Sequence, residues 1–150
     1  MKYDLVLAKE DNINVLIEYK YSNILEYAVD IADDEKDKIK GYVSKDIPEE
    51  LDKCKMIFLD DKVIGCLIVK PDDGFTLLDE IFIEEEYRNL GIGTDIINNI
   101  IANNDVVCLW VYKLNEKAIR LNKRLGFEVI EDTKNRYYKK YSKKRWIEWK

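Results

Sequence analysis

Leu77-Leu78-Asp79-Glu80-Ile81-Phe82-Ile83-Glu84-Glu85-Glu86-Tyr87-Arg88-Asn89-Leu90-Gly91-Ile92-Gly93-Thr94 is the stretch from which the rest of the chain can be laid out. Its first seven residues are apolar but for two adjacent acids, and they have the length and β-branched content of a strand. An acidic turn leads to the glycines, after which Ile96, Ile97, Ile100 and Ile101 recur at helical spacing. The pattern predicts strand, glycine loop, helix. The first amides of a helix lack intrahelical acceptors and lie at the positive end of its dipole, and Gly91 and Gly93 let the backbone come close to an anion. Arg88 adds charge. The same two glycines also describe an ordinary tight connection, so this stretch by itself leaves both readings open.

Working outward, Tyr3 to Ala8 alternates as a first strand, and Glu10-Asp11-Asn12 opens a helix carrying Ile13, Leu16 and Ile17. A second apolar series runs Ile24, Leu25, Tyr27, Ala28, Val29. Asp33-Asp34-Glu35 starts another helix carrying Ile39, Tyr42, Val43 and Ile47, and Pro48 disfavours its continuation. Lys55 to Leu59 and Val63 to Val69, separated by Asp60-Asp61-Lys62, predict an antiparallel hairpin, and Pro71-Asp72-Asp73-Gly74 a turn into the strand at Leu77. Val106 to Tyr112 is a continuous apolar run, as in a strand covered on both faces. Asn115 to Leu125 is a helix with Gly126 at its left-handed stop, and Phe127 to Ile130 and Arg136 to Tyr141 close the sheet. This order predicts a mixed α+β (α/β) fold in a single domain over 1–150, with helices on the faces of a mixed, mostly antiparallel sheet.

Composition narrows the chemistry. The chain has 150 residues, 47% of them hydrophobic, and no linker-like segment. It contains no histidine, which removes His-based triads and His-containing zinc sites, and no metal site is expected. A net charge of −5 argues against a general nucleic-acid binder. No apolar run approaches a membrane span, and the three cysteines, Cys54, Cys66 and Cys108, lie in apolar segments as buried free thiols suited to the cytoplasm. The tail 142–150 is basic, with Trp146 and Trp149 expected to pack on a sheet edge or a second subunit. The chain is compatible with a monomer or a homodimer.

Two motifs carry a resemblance. Ile83 to Gly93 (IEEEYRNLGIG) resembles the pyrophosphate-binding motif of the GCN5-related N-acetyltransferase (GNAT) superfamily, Arg/Gln-x-x-Gly-x-Gly/Ala after the fourth strand. Asn115 to Phe127 (NEKAIRLNKRLGF) is similar to its second motif, Asn-x-x-Ala on a helix closing in Gly-Phe. The resemblance covers residues 77–141. It implies an acetyl-CoA-dependent N-acetyltransferase acting by direct transfer on a primary amine of a small molecule or peptide. The backbone of Arg88, Asn89, Leu90, Gly91, Ile92, Gly93 and Thr94 would wrap the coenzyme A pyrophosphate. The pantetheine arm would pair with Ile81 and Ile83 beside Phe82, and contact Asn115 and Ala118, with Lys117, Arg120 and Arg124 facing phosphates or simply solvent. The Ile83 N–H would polarise the thioester carbonyl.

The resemblance breaks at one position. Where the family often has a Tyr that protonates the leaving thiolate, four residues after Ala118, this chain has Asn122, a hydrogen-bond donor but no general acid. Tyr112, Tyr137 and Tyr138 are candidate sources of a hydroxyl. An amine near pKa 10 must lose a proton before attack, so a base is required. Glu80 is preferred and Asp79 second; adjacent on a strand, they point to opposite faces, and either could instead be a partnered structural acid. Glu84, Glu85 and Glu86 read as a solvated turn. With Asn122 in the acid's place, a non-catalytic acyl-CoA-binding module is the alternative. The acids at Asp30, Asp33, Asp34 and Glu35 lean toward a cationic acceptor.

Overall fold

The computed structural model describes residues 2–28 and 31–142. The expectations placed on Val29, Asp30 and the Trp146/Trp149 tail lie outside the described residues. The elements are β1 (Tyr3–Leu7), α1 (Ile13–Tyr27), α2 (Asp33–Glu49), β2 (Cys54–Leu59), β3 (Lys62–Asp72), β4 (Phe75–Ile83), α3 (Ile92–Asn103), β5 (Val106–Tyr112), α4 (Glu116–Arg124), β6 (Glu128–Asp132) and β7 (Arg136–Ser142). Their order is the one the sequence predicts. The two apolar series before Ala28 form one continuous helix, α1. Pro48 stands in the final turn of α2, where only one more helical residue follows it. The strands hydrogen-bond in the order β1-β2-β3-β4-β5-β7-β6, with β1/β2, β2/β3, β5/β7 and β6/β7 antiparallel and β4/β5 parallel. No described helix is long and apolar enough to cross a membrane.

The chain divides into two compact units, one running to Ile68 and including Glu80–Arg88, the other comprising Val69–Asp79 and the residues from Asn89 onward. In the first, α1 and α2 bury Leu16, Tyr19, Val43 and Ile47 against Cys54, Met56, Cys66, Ile68 and Phe82. The two-residue turn between β2 and β3 places Asp60 at φ 50° and Asp61 at φ 63°, the left-handed pair that a tight hairpin with the native strand twist requires. At Gly65 the backbone of β3 runs so close to β4 that a Cβ would collide with the Phe82 carbonyl. The second unit repeats the device between β3 and β4, with Asp73 at φ 50° and Gly74 at φ 85°. Its α3 buries Ile92, Ile96, Ile97 and Ile101, while β5 buries Val107, Cys108, Leu109 and Val111, residues of both parities, as an inner strand should. All three cysteines are free and buried.

Candidate functional site

The second unit contains the glycine loop. Asn89 and Gly91 both have positive φ, 64° and 86°, and Gly91 is the N-cap of α3. The first helical hydrogen bond runs from Asp95 N–H to Gly91 C=O at 3.0 Å, so the amides of Ile92, Gly93 and Thr94 have no intrahelical acceptor. A methyl group at Gly91 would meet nothing within 4 Å: the backbone conformation, rather than crowding by neighbours, is what requires glycine there. Ile92 is buried and pins the start of α3 beneath this turn, while Leu90 is exposed. Gly91 therefore presents a turn of unclaimed amides and a positive dipole end to open space, a surface that fits an anion such as a pyrophosphate.

The second motif is a helix sealed at both ends. Asn115 is the N-cap of α4, its Oδ1 accepting the Ala118 N–H at 3.2 Å, so the Asn-x-x-Ala spacing is that of a side chain reaching the third amide. At the other end Gly126, at φ 95°, donates to Lys123 C=O at 3.1 Å, and Phe127 N–H donates to Asn122 C=O at 3.0 Å. This paired arrangement is the Schellman motif, with buried Phe127 as its apolar closure. Asn122 is 4% exposed. Lys117, Arg120 and Arg124 lie on the exposed surface of α4, where Arg120 sits 4.0 Å from Glu116. Of the three tyrosines considered for a proton donor, Tyr138 is hydrogen-bonded to the Cys108 thiol, and burial followed by that bond pushes its pKa up. The ring of Tyr137 lies 5.1 Å from the Lys113 ammonium, and Tyr112 is half-buried. Asp79, at the edge of this unit, pairs with Lys70 at 3.5 Å.

In the first unit, Glu80 and Phe82 share the buried side of β4, and Ile81 and Ile83 the half-buried side. Glu80 is 6% exposed, and Asn23 of α1 donates to its Oε1. Asp79 and Glu80 thus take different partners, as strand alternation dictates. Glu84 N–H bonds Ile64 C=O at 2.8 Å, which turns the preceding amide, that of Ile83, away from β3. Glu84 is not the solvated acid its turn suggested: Tyr19 donates its hydroxyl to Glu84 Oε2 at 2.5 Å, and burial, then Glu84, drives the Tyr19 pKa far up. Glu85 and Glu86 are exposed, as expected.

Arg88 is engaged on every side. Its Nε donates to Ile83 C=O at 2.6 Å, its two terminal nitrogens grip Glu26 at 3.0 and 3.3 Å, and its guanidinium lies 5.4 Å over the Phe82 ring. Its charge is therefore answered within its own unit, which leaves the backbone amides and the helix dipole as what the loop could offer an anion. Tyr19, Asn23 and Glu26 escaped the sequence reading. Their signal was present as polar residues at i, i+4 and i+7, one face of α1; their partners, 57 to 65 positions away, left none.

Over residues 18–127 the chain matches the model of the acetyltransferase (GNAT) family. It is 30% identical over 106 residues to N-alpha-acetyltransferase 50 of Danio rerio, across 64% of this chain and 62% of that protein. With the probable N-acetyltransferase san of Drosophila melanogaster it shares 32% over 111 residues, across 67% of this chain and 59% of that one. The chain thus spans about three-fifths of the length of these curated relatives. Among solved structures it resembles the PaiA N-acetyltransferase of Thermoplasma acidophilum in complex with coenzyme A, at TM-score 0.77 and 16% identity, over 95% of this chain and 99% of that one. Naa50 of Arabidopsis thaliana, in complex with the bisubstrate analogue CoA-Ac-MVNAL, gives TM-score 0.64 and 18% identity over the same shares. These two likenesses concern the fold.

Proposed function

The chain belongs to the acetyltransferase (GNAT) family, and from that premise we propose that it is an N-acetyltransferase that moves the acetyl group of acetyl-CoA directly to a primary amine. The observation that carries the proposal is the Gly91 turn: a left-handed N-cap opening α3, with three amides lacking helical acceptors and open space at its Cα. In this reading Asn89 to Thr94 hold the pyrophosphate, and Ile81 and Ile83 offer backbone to the pantetheine arm. Bound acetyl-CoA supplies an activated thioester. The Ile83 N–H, turned away from β3, polarises its carbonyl; losing one such donor costs on the order of 3 kcal/mol in other acyl-transfer sites. Glu80 accepts the proton of the incoming amine, the N–C bond forms, and the C–S bond breaks to release the thiolate. Near pKa 8.5 a thiolate is a fair leaving group, so Asn122 need only donate a hydrogen bond.

The acceptor class is an amine on a peptide or small molecule. Support for a peptide comes from the relatives, one named an N-alpha-acetyltransferase and one solved with a peptide-bearing analogue. The acids Asp33, Asp34 and Glu35 in the first turn of α2 favour a cationic acceptor, though acids also suit a helix start. Three buried free thiols suit a reducing compartment such as the cytoplasm.

One observation favours a second reading. Asn122 occupies the position of the usual acid, which suits a module that binds acyl-CoA without turning it over. Thiol release from acetyl-CoA across a panel of polyamines, aminoglycosides, lysine and peptide N-termini separates the two. The transferase releases coenzyme A with at least one amine; the binder releases none, yet is stabilised thermally by acetyl-CoA.

A further inference from the structure

Lysine is almost never fully buried unless it is paired, and the second unit buries one that is not. Lys139 of β7 is 2% exposed, and its cross-strand partners are the apolar Leu109 of β5 and Val129 of β6. Its Nζ donates to Ile119 C=O of α4 at 3.3 Å. Among the described residues that is its one hydrogen bond, although an ammonium has three hydrogens to give, and no carboxylate pairs with it. The charge that bears on it is Lys123 of α4, of the same sign. A buried ammonium in this condition destabilises a fold, and an acceptor placed before it would relieve the cost. The same turn of α4 carries a second such group. Asn122, three residues after Ile119, is 4% exposed, and among the described residues its amide has no hydrogen-bond partner. Strand and helix thus bring two buried donors to one turn. We propose that Lys139 is the proton donor to the coenzyme A sulfur as it leaves, supplying from β7 the proton that Asn122 cannot give from α4. The inference rests on the reading of the chain as a transferase whose thiolate departs beside Asn122.

The chemistry suits the task. As the acceptor nitrogen bonds to the acetyl carbon, the C–S bond breaks and its electron pair stays on sulfur. The sulfur takes a proton from Lys139 Nζ, coenzyme A leaves as the neutral thiol, and a proton returned from solvent recharges the lysine. Burial and then Lys123 lower the Lys139 pKa from its ordinary value, toward that of a thiol near 8.5, and a donor works best when matched to its acceptor. Tyr138, the neighbouring candidate, is a poorer choice. Strand alternation turns it to the other face of the sheet, against Trp110, and burial followed by its bond to Cys108 pushes its pKa up.

The test compares wild type with Lys139→Met and the polar but uncharged Lys139→Gln, each checked for folding by circular dichroism. Coenzyme A bound to each protein is titrated with pH through the ultraviolet absorbance of its thiolate, with desulfo-coenzyme A on the same protein as the blank. This reads the sulfur without any acceptor. An ammonium facing the sulfur favours the thiolate, so the bound thiol should titrate about one pH unit or more higher in both variants than in wild type. With acetyl-CoA and either spermidine or the peptide Met-Val-Asn-Ala-Leu, kcat should fall roughly 10- to 100-fold in both variants and lose its alkaline limb, while the KM for acetyl-CoA stays unchanged. A bound thiol that titrates alike in all three proteins overturns the proposal and leaves the transferase reading standing. Wild type that binds no coenzyme A overturns both. Where neither amine is accepted, the thiol titration decides alone.

Discussion

Replacing Gly65 by alanine adds one methyl group at the place where β3 and β4 pass closest within the first unit. An ideal Cβ there lies far inside contact distance of the Phe82 carbonyl oxygen and 3.0 Å from both the Phe82 carbonyl carbon and Ile83 Cα. All three are backbone atoms, so no rotamer change relieves the overlap and one of the strands must shift. Forcing a methyl into a filled interior costs about 1–3 kcal/mol, occasionally more, when side chains can yield; backbone neighbours put Gly65→Ala at the top of that range, about 3 kcal/mol. For a chain of this length that corresponds to a fall in Tm of roughly 6–12 °C. Gly41→Ala is the internal control. It adds the same methyl inside α2 with nothing within 4 Å, and should raise stability by about 0.5–1 kcal/mol through helix propensity. Urea unfolding followed by circular dichroism measures both. A Gly65→Ala protein within 0.5 kcal/mol of wild type would refute the close approach of the two strands.

Glu80→Gln should lower turnover by about 10²-fold or more while leaving acetyl-CoA affinity within a factor of two or so, because a general base acts on the amine and not on the coenzyme; initial rates and calorimetry on the same preparation check it. Lys139 is 2% exposed, bonded to Ile119 C=O at 3.3 Å, and its pKa is lowered by burial and then by Lys123. Between that lowered value and the ordinary 10.5, the unfolded chain binds the extra proton, so stability rises with pH through this window and the penalty is fully present below it. Lys139→Met should therefore stabilise the fold by about 1 kcal/mol at neutral pH, with the gain vanishing above pH 10.5, as read by urea midpoints along a pH series.

The layout of strands and helices was legible because the periodicities are local: alternation in β1, four isoleucines at helical spacing in α3, and aspartate or glycine at the turns between β2 and β3 and between β3 and β4. The Gly91 turn and the Asn115 and Gly126-Phe127 caps were legible for the same reason, since each is closed by residues within a few positions of one another. Long-range packing left no such mark. Gly65 looks like any strand glycine until β4 is laid beside it. Lys139 sits in Arg136-Tyr137-Tyr138-Lys139-Lys140, which reads as a solvated strand, yet it is among the most buried side chains described. Arg88 was read as a charge awaiting an anion, because the sequence cannot reveal that Glu26, 62 positions earlier, already answers it.

Titration of acetyl-CoA into wild type and Gly91→Glu by calorimetry addresses the coenzyme site itself. The substitution sets a carboxylate before the amides of Ile92 to Thr94 and forces a side chain into φ 86°, a strain of about 1–2 kcal/mol that the fold can bear, as the circular dichroism spectrum should confirm. Saturable binding by wild type and none by the folded variant is the predicted result. Equal affinity in the two proteins would contradict the assignment of this loop as the pyrophosphate cradle, and with it the proposed transfer mechanism.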